Sequence, residues 1–163
     1  MSNELTTQVQ QSSLLQIRMD SKTYPRLLRY NHDEAVKRMT KIVSQAMLYR
    51  GQTADPASIG IISSALLDEL LQEDRWGARF LTFEEISYVV KKAVLESDIY
   101  ISVSSLYKVI IEFCKGEGTL IQQEASEIKK KQDRDSLRNS IVAPMLEAYT
   151  GQLLKNNKSN GKV

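Results

Sequence analysis

Apolar residues recur along most of this chain at intervals of three and four, the period of one face of an α-helix. Val36, Met39, Val43, Ala46 and Met47 form the first such stripe, and Gly51 stands where a helix would stop. A helix is therefore expected from about His32 to Arg50. Its other side carries Lys37, Lys41 and Gln45, with Arg38 alongside, as a basic stripe. Asp55-Pro56 then supplies an N-cap and a proline at the first helical position, where no N–H is needed. The helix that follows, "ASIGIISSALLDELLQED", is apolar around much of its circumference and is expected at the centre of a bundle. "LTFEEISYVVKKAVLES" opens with a capping box, Thr82 to Glu85, and offers Phe83, Ile86, Val89, Val90, Ala93 and Val94 for burial.

Beyond Ser97 a short connection through Ile99 and Ile101 leads to "SVSSLYKVIIEFCKGEG", where Ser102 or Ser104 can cap a helix that stops at the glycines. Val103, Leu106, Tyr107, Ile110, Phe113 and Cys114 form its core stripe. Residues 119–155 are helical in composition. Their apolar stripe fades between Lys129 and Ser136, which should stand in solvent, and resumes at Leu137, Ile141, Met145, Ala148 and Tyr149. Pro144 either kinks this helix or starts another. Near the front, "LLQIRMDSKTYPRLLRY" has no clean period and reads as a loosely packed strap with a helical turn from Pro25. Residues 1–13 and 156–163 read as flexible polar tails. Tight-turn signals between alternating strands are missing, as is any internal repeat. The expected fold is all-α: one compact bundle of five to six helices over residues 14–155, with disordered polar termini.

One local feature needs an explanation. Asp68, Glu69, Glu73 and Asp74 crowd the end of the second strong helix, where the helix dipole disfavours anions. Arg75, Arg79 or the basic stripe of the preceding helix are the available partners.

Charge is distributed unevenly. Residues 1–50 hold eight Lys/Arg against four Asp/Glu, and residues 119–163 hold eight against five. Between them residues 51–81 hold two against five, and residues 82–118 four against six. Basic flanks around an acidic middle either neutralise each other in the fold or leave a surface for an anionic partner. A single cysteine excludes an internal disulfide and fits a reducing compartment. The polar N-terminus resembles neither a signal nor a transit peptide, and no apolar run is long enough for a membrane helix. A cytoplasmic protein with no membrane partner is expected.

Most enzymatic chemistries lack their residues. His32 is the only histidine, and Cys114 sits on an apolar stripe, so neither a catalytic triad nor a zinc site can be assembled. Phosphate-cradling glycine motifs are missing. No enzyme activity, metal or other cofactor is expected.

"LTFEEI" followed by "ISVSSLYKVIIEFCKGEG" resembles the helix-turn-helix of ferric-uptake-type winged-helix regulators, where a Thr-Glu-rich helix precedes a Ser/Thr-Val-Tyr recognition helix. The resemblance spans residues 82–118. After Gly118 the sequence reads as helix where that family has a wing, and the family's His and Cys metal ligands are missing. On this resemblance a recognition helix would present Ser104, Ser105, Lys108 and Glu112 outward, but the whole motif is acidic, and the core stripe argues for a mainly structural helix. Residues 80–118 are also similar in style to short helical proteins of phages and mobile elements, which implies a bacterial context.

The reading these features favour is a non-enzymatic bacterial or phage DNA-associated accessory protein serving replication, maintenance or regulation. Its contacts would come from Arg26, Arg29, Lys37, Arg38 and Lys41 in the first flank and Lys129, Lys130, Lys131, Arg134 and Arg138 in the second, with Lys108 between. The alternative is a helical protein–protein interaction or adaptor module that binds a protein partner or itself, without nucleic acid.

Overall fold

Four helices begin where a short polar side chain can satisfy a free backbone N–H. The computed structural model describes residues 13–20 and 22–159. Helix α1 (residues 13–19) is followed by a 3-10 turn at Leu27–Arg29 and by α2 (His32–Tyr49), α3 (Pro56–Gln72), a second 3-10 turn at Ala78–Phe80, α4 (Phe83–Glu96), α5 (Val103–Lys115) and α6 (Glu117–Ser159). Asn31 accepts from the Glu34 N–H at 2.9 Å and Asp55 from the Ser58 N–H at 2.9 Å. Thr82 with Glu85 and Ser102 with Ser105 close reciprocal capping boxes on α4 and α5. Each such cap contributes on the order of 1 kcal/mol. Gly51, at φ 63°, ends α2 in the left-handed conformation that glycine adopts without steric cost. Among the described residues an isolated Arg26–Thr82 bridge is the one β-type pairing.

The chain separates into two units, one ending at Gln123 and one starting at Glu124, where the sequence reads as one domain over 14–155. Of the expected tails, residues 1–12 and 160–163 lie outside the described residues, and Ser13 and residues 156–159 are helical.

In the first unit α2 packs on α3 and α4, and α5 packs on the same two, so the four helices close a ring. The broad apolar surface of α3 is shared between α2 and α5 rather than buried on all sides, and its Ile61 faces solvent. The core between the helices is built from Met39, Val43, Leu66, Leu67, Leu70, Ile86, Val90, Leu106 and Ile110. Gly118 lies tight against the end of α5: a Cβ there would stand 3.0 Å from the Phe113 ring and backbone.

The front of the chain is not the loose strap its irregular pattern suggests. Leu14, Arg18 and Leu27 are buried. Arg18 Nε lies 2.8 Å from Glu85 Oε1, so α1 is tied to the first turn of α4 by an ion pair shut away from water. The Leu27 N–H donates to the Leu81 carbonyl at 2.9 Å, fixing the 3-10 turn beside the same turn.

The acids ending α3 find different partners. Glu73, itself buried, accepts from the backbone N–H groups of Arg75 (2.7 Å), Trp76 (2.6 Å) and Ala78 (3.1 Å). Asp74 pairs with Arg79 at 2.5 Å, and Asp68 lies 3.9 Å from His32. Arg79 is thus one of the expected compensators. The backbone nest around Glu73 escaped the sequence because amides carry no residue signature.

Cys114 is buried on the α5 stripe as expected, and burial pushes its thiol up to about 12. With so little thiolate present, the folded protein is expected to react with a disulfide reagent at pH 8 more than about 100-fold slower than the denatured chain. Equal rates in buffer and in guanidinium would show that the thiol is accessible.

In the second unit α6 runs through Pro144 without a break. The resumed stripe does not become core: Leu137, Ile141, Val142, Met145, Leu146 and Tyr149 are all exposed. Periodicity in a sequence marks an apolar face but not what covers it.

Candidate nucleic-acid interface

Helices α2 and α4 lie side by side, and their apolar edges meet below the surface, leaving a long groove between their polar edges. Ile42 and Phe83 line its depth. One wall comes from α2, whose Glu34, Lys37, Arg38, Lys41 and Gln45 recur at helical spacing. The other comes from α4, through Glu84, Ser87, Tyr88 and Lys91. The groove encloses about 770 Å³, and a small recess lined by Gln45, Tyr49, Ser87 and Lys91 continues it toward the end of α2.

The charges in the groove are not equivalent. Arg38 is occupied: its Nε lies 3.5 Å from Glu34, and its guanidinium stacks over the Tyr30 ring at 4.7 Å. Burial pushes the Tyr30 hydroxyl above its usual range, against the pull of Arg38. Tyr88 and Lys92 face each other at 5.8 Å, and Lys92 reaches Glu117 at 3.4 Å. Burial alone would lower the Lys92 ammonium; Glu117 and Tyr88 outweigh it and raise it. Among the described residues Lys37, Lys41 and Lys91 have no carboxylate within ion-pair distance. With Glu34 and Arg38 cancelling, the groove holds three free ammonium groups against the single carboxylate of Glu84.

The remaining basic residues are placed differently. Arg26 faces inward, its two terminal nitrogens donating to the Phe80 carbonyl at 2.9 Å and the Arg18 carbonyl at 3.3 Å, so it serves the strap. Arg29 is exposed on the first 3-10 turn. Lys108 lies on α5 in a separate recess with Ser104 and Glu112, one turn from a carboxylate. Ser105, expected to face outward, instead donates to the Tyr100 carbonyl at 2.6 Å and closes the α5 capping box. The solvent face of α5 is thereby reduced to Ser104, Lys108, Glu112 and Lys115, opposite a buried stripe from Leu106 to Cys114. Lys129, Lys130, Lys131, Arg134 and Arg138 are exposed along α6 and belong to the second unit.

Lys91 was missed in the sequence. Its signal is weak but present: Ser87 and Lys91 are one turn apart on α4, at the polar edge that borders the buried Val90 and Val94. Only the pairing of α4 with α2 shows that this polar edge faces Lys37 and Lys41.

No family model, curated protein or solved structure matches the chain. Among the described residues no group of three or more His, Cys, Asp or Glu side chains could hold a metal ion. No described helix is long and apolar enough to cross a membrane.

Proposed function

We propose that this protein is a non-enzymatic nucleic-acid-associated accessory protein whose body contacts phosphates through the groove between α2 and α4. The observation that supports it is the convergence of Lys37, Lys41 and Lys91, unpaired, on one concave surface. Each phosphate neutralised by such a group releases condensed counterions, which gives affinity without sequence recognition. The exposed run from Lys129 to Arg138 on α6 adds cations of the same kind in the second unit. The motif helix α5 contributes little, since Lys108 is balanced by Glu112 in its own recess. A role in replication, maintenance or regulation of bacterial or phage DNA is the setting in which such a protein would work.

Three phosphate contacts predict a loss of affinity of at least roughly 20-fold between 50 and 200 mM salt. Mobility-shift titrations at the two salts check this. Lys37→Glu with Lys41→Glu should weaken binding at least about tenfold, as two phosphate contacts become repulsive. Lys108→Ala should leave it within about twofold. Absence of any binding at 50 mM salt ends the proposal.

A second reading, a helical adaptor that binds a protein or a second copy of itself, is favoured by the exposed apolar stripe from Leu137 to Tyr149. Light scattering that finds a strict monomer, together with a pull-down that retains no protein, would remove it.

A further inference from the structure

We infer that the α2–α4 groove takes single-stranded nucleic acid, with phosphates on its three lysines and an unpaired base against Tyr49. This rests on the nucleic-acid reading above and goes further by naming the strand state. The first argument is shape. Proteins that read a duplex put a convex element, a helix or a ribbon, into its grooves. Here the free cations line a concavity, with Lys37 and Lys41 on one wall and Lys91 on the other. A rigid duplex would ride across the rims and leave the interior empty. A flexible strand can enter.

The second argument is chemistry. A site for phosphate alone needs donors and positive charge, yet this groove has an apolar depth made by Ile42 and Phe83. Unpaired bases have π-faces that leave water favourably, and paired bases do not expose them. Gln45 and Ser87, on opposite walls, supply an amide and a hydroxyl for a base edge or a sugar. Tyr49 lines the recess that continues the groove, and its side chain is half exposed, with 53 % of the residue open to solvent. An exposed aromatic at the end of a basic groove is the element that stacks successive bases. Lys41 and Tyr49 are eight residues apart on one helix, about 12 Å. That length suits about three nucleotides at the roughly 3.4 Å rise of a stacked strand.

The test uses the full chain and fluorescence anisotropy at 50 mM salt with three labelled probes: a 12-nucleotide deoxythymidine strand, an abasic strand of equal length, and a duplex of equal length. The expected order is thymidine strand tightest, with the abasic strand and the duplex each weaker by about tenfold. Tyr49→Ala should weaken the thymidine strand about tenfold and leave the abasic strand unchanged. Lys37→Glu with Lys91→Glu should weaken both strands alike. Circular dichroism of each variant separates lost folding from lost contacts. If the duplex binds as tightly as the thymidine strand, or Tyr49→Ala changes nothing, the inference fails while the nucleic-acid reading stands. If none of the three probes binds, both fail. Displacement of an already bound thymidine strand by poly-glutamate at equal charge concentration would also overturn the inference, because the groove would then recognise acidity alone.

Discussion

Arg18→Ala is expected to destabilise the protein by about 3–5 kcal/mol, because it strands a buried carboxylate. The Arg18 and Glu85 side chains are almost fully removed from solvent, and Glu85 Oε2 is already used by the Thr82 N–H at 2.8 Å. Glu85 Oε1 faces Arg18 Nε, close enough for an ion pair but not aligned as a hydrogen bond. Removal of the guanidinium leaves that oxygen charged, buried and without a partner. Urea denaturation measures the change directly, and in a chain of this size the melting temperature should fall by roughly 10 °C. The paired variant Arg18→Met with Glu85→Gln should recover part of the loss, since glutamine keeps the capping box and no charge remains buried. A loss under about 1 kcal/mol for Arg18→Ala would mean that the carboxylate finds water or another donor in solution.

Glu73→Ala is expected to cost about 2–4 kcal/mol, the second largest effect, by orphaning three backbone N–H groups in the turn after α3. Burial pushes the Glu73 carboxyl up, but the N–H groups of Ala78, Trp76, Arg75 and Gly77 outweigh it and hold it below the usual range. The sign follows from linkage: a carboxylate whose folded pKa is depressed contributes stability that is complete above its unfolded pKa. That contribution fades as pH falls from about 4.5, the ordinary glutamate value, through the lower folded one. Glu73→Gln should therefore lose stability at pH 7 and show a shallower decline below pH 4.5 than the parent. Parallel pH profiles of the two proteins would mean that Glu73 does not titrate as part of the fold.

The parts of this fold that were legible in the sequence are those whose signals are local. Asp55 with Pro56, Thr82 with Glu85, and Ser102 each act within one helical turn, so their spacing identifies both the helix start and the bond that forms it. The core stripes of α2, α4 and α5 were readable for the same reason. The strap was not, because Arg18 gains its meaning only from Glu85, a residue in a different helix. A helix as short as residues 13–19 also offers too few turns for a period to show. Half of the groove was legible. Lys37 and Lys41 stand out as a stripe on an amphipathic helix, whereas Lys91 counts only once α4 is laid beside α2. Arg26 shows the limit from the other side. A basic residue in a basic flank looks available, yet its guanidinium is spent on carbonyls of the chain.

The turn held by Glu73 also carries Trp76, whose backbone N–H is one of the three donors and whose ring faces Arg75 and Lys115, 4.8 Å from each. As the chain's one tryptophan, it makes ultraviolet emission a private optical channel to that turn. Titrations followed by intrinsic fluorescence will therefore register the state of a single loop, and tyrosine or an attached dye must supply the view of everything else.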